Sequence, residues 1–208
     1  MKSLVLTAFL VLGFSFLDGI YFHSTGLAQP ASQTINLPNP VKTGGLPLNE
    51  ALNLRRSERS VLGTPLPQTQ ISQILWTAFG VNREAGSMRT IPTAHNRQDL
   101  LVYAVLDNGV WLYDAPNNKL ELQLKGDHTD KYGQAPLTLL YAVPEKDGAV
   151  GGVHVGAALQ GVGLLCASEK LANVVKLTGA DALKGQLPLP TGYHVVVVQS
   201  VGLPADEQ

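Results

Sequence analysis

The chain has 208 residues, 45% of them hydrophobic and 15% charged, with a formal net charge of -1. That length admits one domain plus a targeting segment, and the apolar content supplies a packed core, which excludes bulk disorder. The near-neutral balance gives no general field for nucleic acid or an anionic membrane surface, so any anion must be held by a local cluster.

At the amino terminus, Lys2 precedes an apolar run from Ser3 to Leu17, and Gly26-Leu27-Ala28 offers the small residues of a cleavage site. The run is shorter than the ~20 residues a spanning helix needs. Residues 1–28 are therefore read as a signal peptide cleaved after Ala28. Export to a bacterial periplasm or secretion follows, with no stable membrane span after cleavage. The alternative is an uncleaved anchor, because Gly19-Ile20-Tyr21-Phe22 prolongs the apolar character. No cysteine follows the run for lipid attachment, and no arginine pair precedes it as in a twin-arginine signal.

Residues 29–45 are rich in Pro, Gly, Ser, Thr and Asn without helical period, and read as a flexible linker or extended arm. The domain proper is expected over 46–203, with 204–208 as a short tail. Leu48 to Leu54 form a short amphipathic helix with Arg55-Arg56 at its end. Gln68 to Phe79 form a second, with Ile71, Ile74, Leu75 and Ala78 on one face and Gly80 placed for a left-handed cap. Trp76 and Phe79 read as core or interface.

From Leu100 the period becomes that of strands. Leu101 to Leu106 and Val110 to Tyr113 flank Asp107-Asn108-Gly109, a hairpin signal whose favoured turn needs positive φ at both central residues. Asn117-Asn118 turns the chain into a strand over Leu120 to Leu124. Pro136 to Val143 is a fully buried strand. Gly148 to Gly152 superficially suggests a dinucleotide loop but lacks the strand context and the acidic residue downstream, so close helix packing or loop flexibility suffices. Gly152 to Leu171 is a helix apolar on nearly every face, which must be buried on every side, in part by a second subunit. Val195 to Val198 is a late strand. This order predicts an α+β domain with an antiparallel-rich central sheet flanked by helices, as a homodimer.

Cys166 is the only cysteine and lies in the apolar stretch Val162–Ala167, so it reads as an inert buried thiol. His95, His128, His154 and His194 lack the paired spacing of a metal site, and no metal is expected. Asp127-His128-Thr129-Asp130 reads equally as a cation loop or a polar turn. Ser57, Ser60 and Ser72 lack a nucleophile elbow. That leaves Arg55, Arg56 and Arg59, three guanidiniums in five residues with Ser57 among them. Such a group can receive a phosphate through charge-assisted hydrogen bonds. Spacing alone is equally served by a solvated face complementing a helix dipole.

The order Arg55-Arg56-Ser57-Glu58-Arg59-Ser60, Pro65-Leu66, Ile71 to Asn82, and Arg89-Thr90-Ile91-Pro92-Thr93-Ala94-His95-Asn96-Arg97-Gln98 resembles the opening of the nitroreductase family. The hairpin Val102–Val105 and Gly109–Asp114 is similar to the family's shorter branch, which includes azoline dehydrogenases. The resemblance spans about residues 46–203 and implies a nitroreductase-like fold and an FMN-dependent oxidoreductase. NAD(P)H is a possible electron donor, and the small-molecule acceptor is a nitroaromatic, a quinone or an azoline. It implies that Arg55 meets the FMN phosphate with Arg56, that Ser57 bonds the ribityl or ring region, and that Arg59 faces the pyrimidine edge. Pro92, Thr93, Ala94 and Asn96 would reach the flavin from the partner subunit, and Thr178-Gly179 would supply backbone donors to the ring. No side chain is implied as catalytic, since the flavin carries the chemistry. Three departures stand out. Residues 201–208 lack the basic residues the family often places near the phosphate, Thr178 stands where many relatives have an acid, and Lys170-Leu171-Ala172 replaces a glycine-leucine-glycine turn. A non-catalytic exported binding protein that kept the fold but binds flavin weakly or not at all is the competing expectation.

Overall fold

The computed structural model describes residues 33–83, 85 and 87–205. The signal peptide over 1–28 and the last three residues of the tail lie outside them. Three α-helices are present among the described residues: α1 (Leu48–Leu54), α2 (Gln68–Phe79) and α3 (Gly148–Glu169). The strands are β1 (Thr34–Asn36), β2 (Val81–Arg83), β3 (Met88–Arg89), β4 (Leu101–Leu106), β5 (Gly109–Asp114), β6 (Lys119–Lys125), β7 (Leu137–Pro144), β8 (Ala172–Lys176) and β9 (Tyr193–Gly202). Seven of them form one sheet in the order β1-β6-β5-β4-β7-β9-β8, with every neighbouring pair antiparallel. β2 and β3 pair separately.

Side chains alternate across a strand, and here both sheet faces are covered, which is why β4 and β7 read as near-continuous apolar runs. On one face Val102, Ala104, Leu139, Tyr141 and Val197 pack with Ile74, Leu75 and Ala78 of α2 and with Val155, Ala158 and Val162 of α3. On the other, Tyr103, Val105, Leu140 and Val198 meet Tyr132, Leu183 and Leu187.

Several details differ from the sequence expectations, each for a local reason. The arm over 29–45 contains β1, which pairs with β6, and Leu37 behind it is buried. Asn118 holds that arm by donating from Nδ2 to the Pro38 carbonyl at 2.9 Å. Gly80 is extended, at φ -70 and ψ 168, and not left-handed. Glycine is required there because a Cβ would lie 2.2 Å from Trp76 Cδ1. At the β4–β5 turn, Leu106 pairs with Gly109, and neither Asp107 nor Asn108 has positive φ. Gly109 instead permits close approach, since a Cβ would meet Leu122 Cδ1 at 2.6 Å. α3 starts at Gly148, so the glycines expected as a loop form its first turns, and a Cβ on Gly151 would meet Val143 Cγ2 at 2.8 Å. Nor is α3 buried all round within the chain, because Val150 and Val153 are exposed. Its length and hydropathy would suffice for a membrane span, yet Val155, Ala158, Val162 and Cys166 bury it against the sheet as a core helix.

Candidate functional site

Arg55 is the C-cap of α1, and the chain then runs without regular secondary structure through Ser60. Backbone bonds anchor this segment on both sides. The Glu58 N–H donates to the Asn173 carbonyl on β8 at 2.8 Å, while Ala205 N–H donates to Ser60 O at 3.0 Å and Leu62 N–H to Leu203 O at 2.9 Å. The strap crosses close to β9 at Gly202, where a Cβ would meet Val61 Cγ1 at 2.6 Å. Arg55, Arg56, Ser57 and Arg59 are exposed. Arg56 Nε lies 3.5 Å from Glu58 Oε2, whereas Arg55 and Arg59 have no ion pair among the described residues. The Arg55 stem passes over Gly163 of α3, whose missing Cβ would lie 3.6 Å from Arg55 Cγ and Cδ.

Beneath the strap runs a buried polar relay that sequence reasoning missed. Tyr141 OH donates to Gln199 Oε1 at 2.8 Å, and Gln199 Nε2 donates to Asn173 Oδ1 at 3.3 Å and to the Leu159 carbonyl at 3.4 Å. Asn173 Nδ2 in turn donates to the Arg56 carbonyl at 3.5 Å. Backbone carbonyls only accept, so Leu159 O and Arg56 O fix the orientation of both amides from either end. Gln199 is fully buried, and each of its polar atoms therefore needs the partner it has. The signal was a glutamine, beside Ser200, in the apolar run Val195–Val201.

The segment Pro92–Asn96 forms a loop ending in a short 3-10 turn, with His95, Asn96 and Gln98 all at positive φ. Three such residues in four are a strained backbone that surrounding bonds must hold. Ala94 N–H donates to Nε2 of His154 on α3 at 2.8 Å, Gln98 N–H donates to Thr93 Oγ1 at 3.1 Å, and Gln98 Nε2 donates to Asn96 Oδ1 at 3.0 Å. Accepting an N–H leaves the His154 proton on Nδ1, which sits 3.4 Å from Asp99 Oδ1 but out of hydrogen-bond alignment. Arg97 closes the loop's far side with 3.0 Å contacts to Asp99 and Asp147. His154 is 2% exposed and thus serves as the loop's internal anchor. His154→Ala should destabilise the fold by about 2 kcal/mol and speed exchange of the Ala94 amide proton, measured by thermal melting and hydrogen exchange.

Thr178-Gly179 follow β8. Thr178 is exposed, and Gly179 has φ 99 with Tyr132 Cε1 3.5 Å from where its Cβ would stand. No hydrogen bond engages the N–H of either residue among the described residues. β8 runs from Ala172 to Lys176, so the strap, bonded at Asn173, and this donor pair lie toward opposite ends of it.

Arg55, Arg56, Ser57 and Arg59 thus share the strap that is bonded to β8 at Asn173, of which only Arg56 lines the cavity beside it, while Thr178-Gly179 lie past the other end of β8. The structure does not bring Pro92–Asn96 to them. The loop is anchored on α3 at His154 and the strap at Gly163, nine residues apart, which is about two and a half turns and so opposite sides of the helix.

A cavity of about 290 Å³ opens beside the strap, lined by Arg56, Glu58, Cys166, Lys170, Asn173 and Pro204 among others. Burial pushes the Cys166 thiol up to about 12, with the Glu169 charge adding to the shift, so it is no thiolate at neutral pH. A larger cavity of about 420 Å³ lies under β1 and contains none of these residues. At its edge Asp127 Oδ1 accepts from the N–H and hydroxyl of Thr129, which makes that segment a polar turn. No cluster of three or more His, Cys, Asp or Glu side chains suited to a metal occurs among the described residues.

An antiparallel seven-stranded sheet with a buried glycine-rich helix, and an arginine strap laid along its edge strand, defines an α+β architecture shared with proteins of known structure. The family model of the nitroreductase family matches residues 52–203. A protein from Ralstonia eutropha JMP134 classed as a nitroreductase is 32% identical, with a TM-score of 0.77 over 84% of this chain and 90% of that one. The E. coli microcin synthetase McbBCD complex, solved with truncated pro-MccB17 bound, contains a chain at 14% identity and TM-score 0.65, covering 92% of this chain and 85% of its own. An FMN-bound nitroreductase from Bacteroides fragilis NCTC 9343 aligns at 14% identity and TM-score 0.55, over 77% of this chain and 90% of that one. No curated protein matches the sequence. The chain belongs to the nitroreductase family, whose members are FMN-dependent oxidoreductases.

Proposed function

We propose that the protein is an exported, homodimeric FMN-dependent oxidoreductase that passes electrons to a small acceptor such as a nitroaromatic, a quinone or an azoline. The observation that carries this reading is the strap. Arg55 and Arg59 are free of carboxylate partners among the described residues, yet their backbone is fixed on both sides by β8 and the tail. Uncompensated guanidiniums carried on a fixed backbone suit a phosphate monoester, because the main chain needs no ordering when it binds. Arg55 and Arg56 would hold the phosphate, and Ser57 would bond the ribityl chain or ring.

Bound FMN supplies the redox chemistry, accepting hydride from a donor such as NAD(P)H and delivering it to the acceptor. Arg59 would hold positive charge beside the pyrimidine edge, where negative charge develops on reduction. The unengaged N–H groups of Thr178 and Gly179 would orient the ring from the other end of β8. Pro92, Thr93, Ala94 and Asn96 would contact the flavin of the second subunit, in keeping with their anchoring on the far side of α3. Exposed Leu48 and Leu52 on α1, Val150 and Val153 on α3, and Val175 and Leu177 at β8 supply apolar surface for that dimer.

Turnover tests the reading. Protein loaded with FMN under anaerobic conditions should lose its yellow absorbance on adding NADH or NADPH and regain it on adding a nitroaromatic, quinone or azoline peptide. Failure to take up FMN supplied in excess would mark the non-catalytic binding protein instead, and a bound flavin that stays oxidised with every donor would overturn the oxidoreductase reading.

A further inference from the structure

Lys170 occupies the position that ends α3, in the left-handed conformation at φ 57 and ψ 37. Its N–H donates to the Cys166 carbonyl, which closes the helix. Glycine is the residue of least cost there, since an L side chain in this region is strained. A lysine kept at such a position calls for a use of its side chain. A favourable interaction with the helix dipole is one use, but arginine, lysine or histidine anywhere in the last turn would serve it without strain.

The cavity beside the strap shows another. Arg56 and Lys170 both line it, together with Glu58, Asn173 and Pro204. The charge of Arg56 is shared with Glu58 at 3.5 Å, whereas Lys170 has no ion pair among the described residues. Resting on the flavin reading above, we propose that Lys170 is a phosphate-binding residue, supplying a cation from the end of α3 to the cavity that Arg56 also lines.

The test compares dissociation constants for FMN and for riboflavin, which lacks the phosphate, by flavin fluorescence, alongside melting temperatures. Lys170→Gly removes both the charge and the strain, so its two effects should run in opposite directions. FMN binding should weaken roughly fivefold to tenfold with riboflavin binding unchanged, while the melting temperature rises by about 2–4 °C. Lys170→Arg should keep the preference for FMN. An unaltered ratio in Lys170→Gly, with the ratio lost in Arg55→Ala, would overturn the role of Lys170 and leave the strap as the phosphate site. A wild-type protein that does not distinguish FMN from riboflavin would instead overturn the phosphate site itself, and this assignment with it.

Discussion

Arg55→Ala should weaken FMN binding by roughly 10- to 100-fold, the effect of losing a charge-assisted contact to phosphate. Riboflavin binding should change little. The fold should survive, because the strap is held by backbone bonds at Glu58, Ser60 and Leu62 that do not involve this side chain. What the protein loses besides charge is the Arg55 stem packed over Gly163, a minor apolar contact on an exposed residue. Arg55→Lys should fall between, since an ammonium keeps the charge but not the paired geometry of the guanidinium. Titration of each variant by fluorescence reads the effect, and equal affinity in wild type and Arg55→Ala would mean the phosphate sits elsewhere.

The largest effect on stability is expected at Gln199. Gln199→Leu strips the partner from Tyr141 OH and Asn173 Oδ1 together, while the Leu159 carbonyl keeps its bond within α3. With each unsatisfied buried group costing about 1–3 kcal/mol, offset in part by the added apolar side chain, the net loss should be about 2–4 kcal/mol. That corresponds to a fall in melting temperature of roughly 5–15 °C. Tyr141→Phe leaves Gln199 Oε1 alone unpaired and should cost less. Combining Tyr141→Phe with Gln199→Leu should cost less than the sum of the two, because one bond is broken by either. Strict additivity would show that the relay is not a connected network. A second consequence follows from its far end, where Asn173 would be free to turn away from the Arg56 carbonyl, so Gln199→Leu should also loosen the strap.

The strongly periodic parts of the fold were legible in the sequence. α1 and α2 fall where helical spacing of leucine and isoleucine places them, and β7 where an unbroken apolar run demands burial on both faces. β1 was hidden because it is three residues long in a proline- and asparagine-rich arm and gains most of its hold from backbone pairing. β8 was hidden because it follows the left-handed stop at Lys170 almost at once, leaving no turn-rich interval to announce it. Glycines were misread where they serve close approach, as at Gly80 against Trp76 and Gly109 against Leu122, because sequence shows a missing side chain without its reason.

For the site, the arginine cluster was visible, but only its resemblance to a family favoured phosphate over a solvated face. The supporting residues lay beyond local reading. His154 meets Ala94 across 60 residues, and Gln199 meets Tyr141 across 58. His154 stands alone in an apolar run and Gln199 stands with Ser200 in another, which marks a buried partner without saying which one.

Isothermal titration of the purified protein with FMN tests the central claim most directly. One flavin per subunit, with riboflavin binding more weakly by the contribution of the phosphate, is the predicted result. Absence of any binding heat with FMN in excess would contradict the claim that the Arg55–Arg59 strap exists to receive a flavin nucleotide.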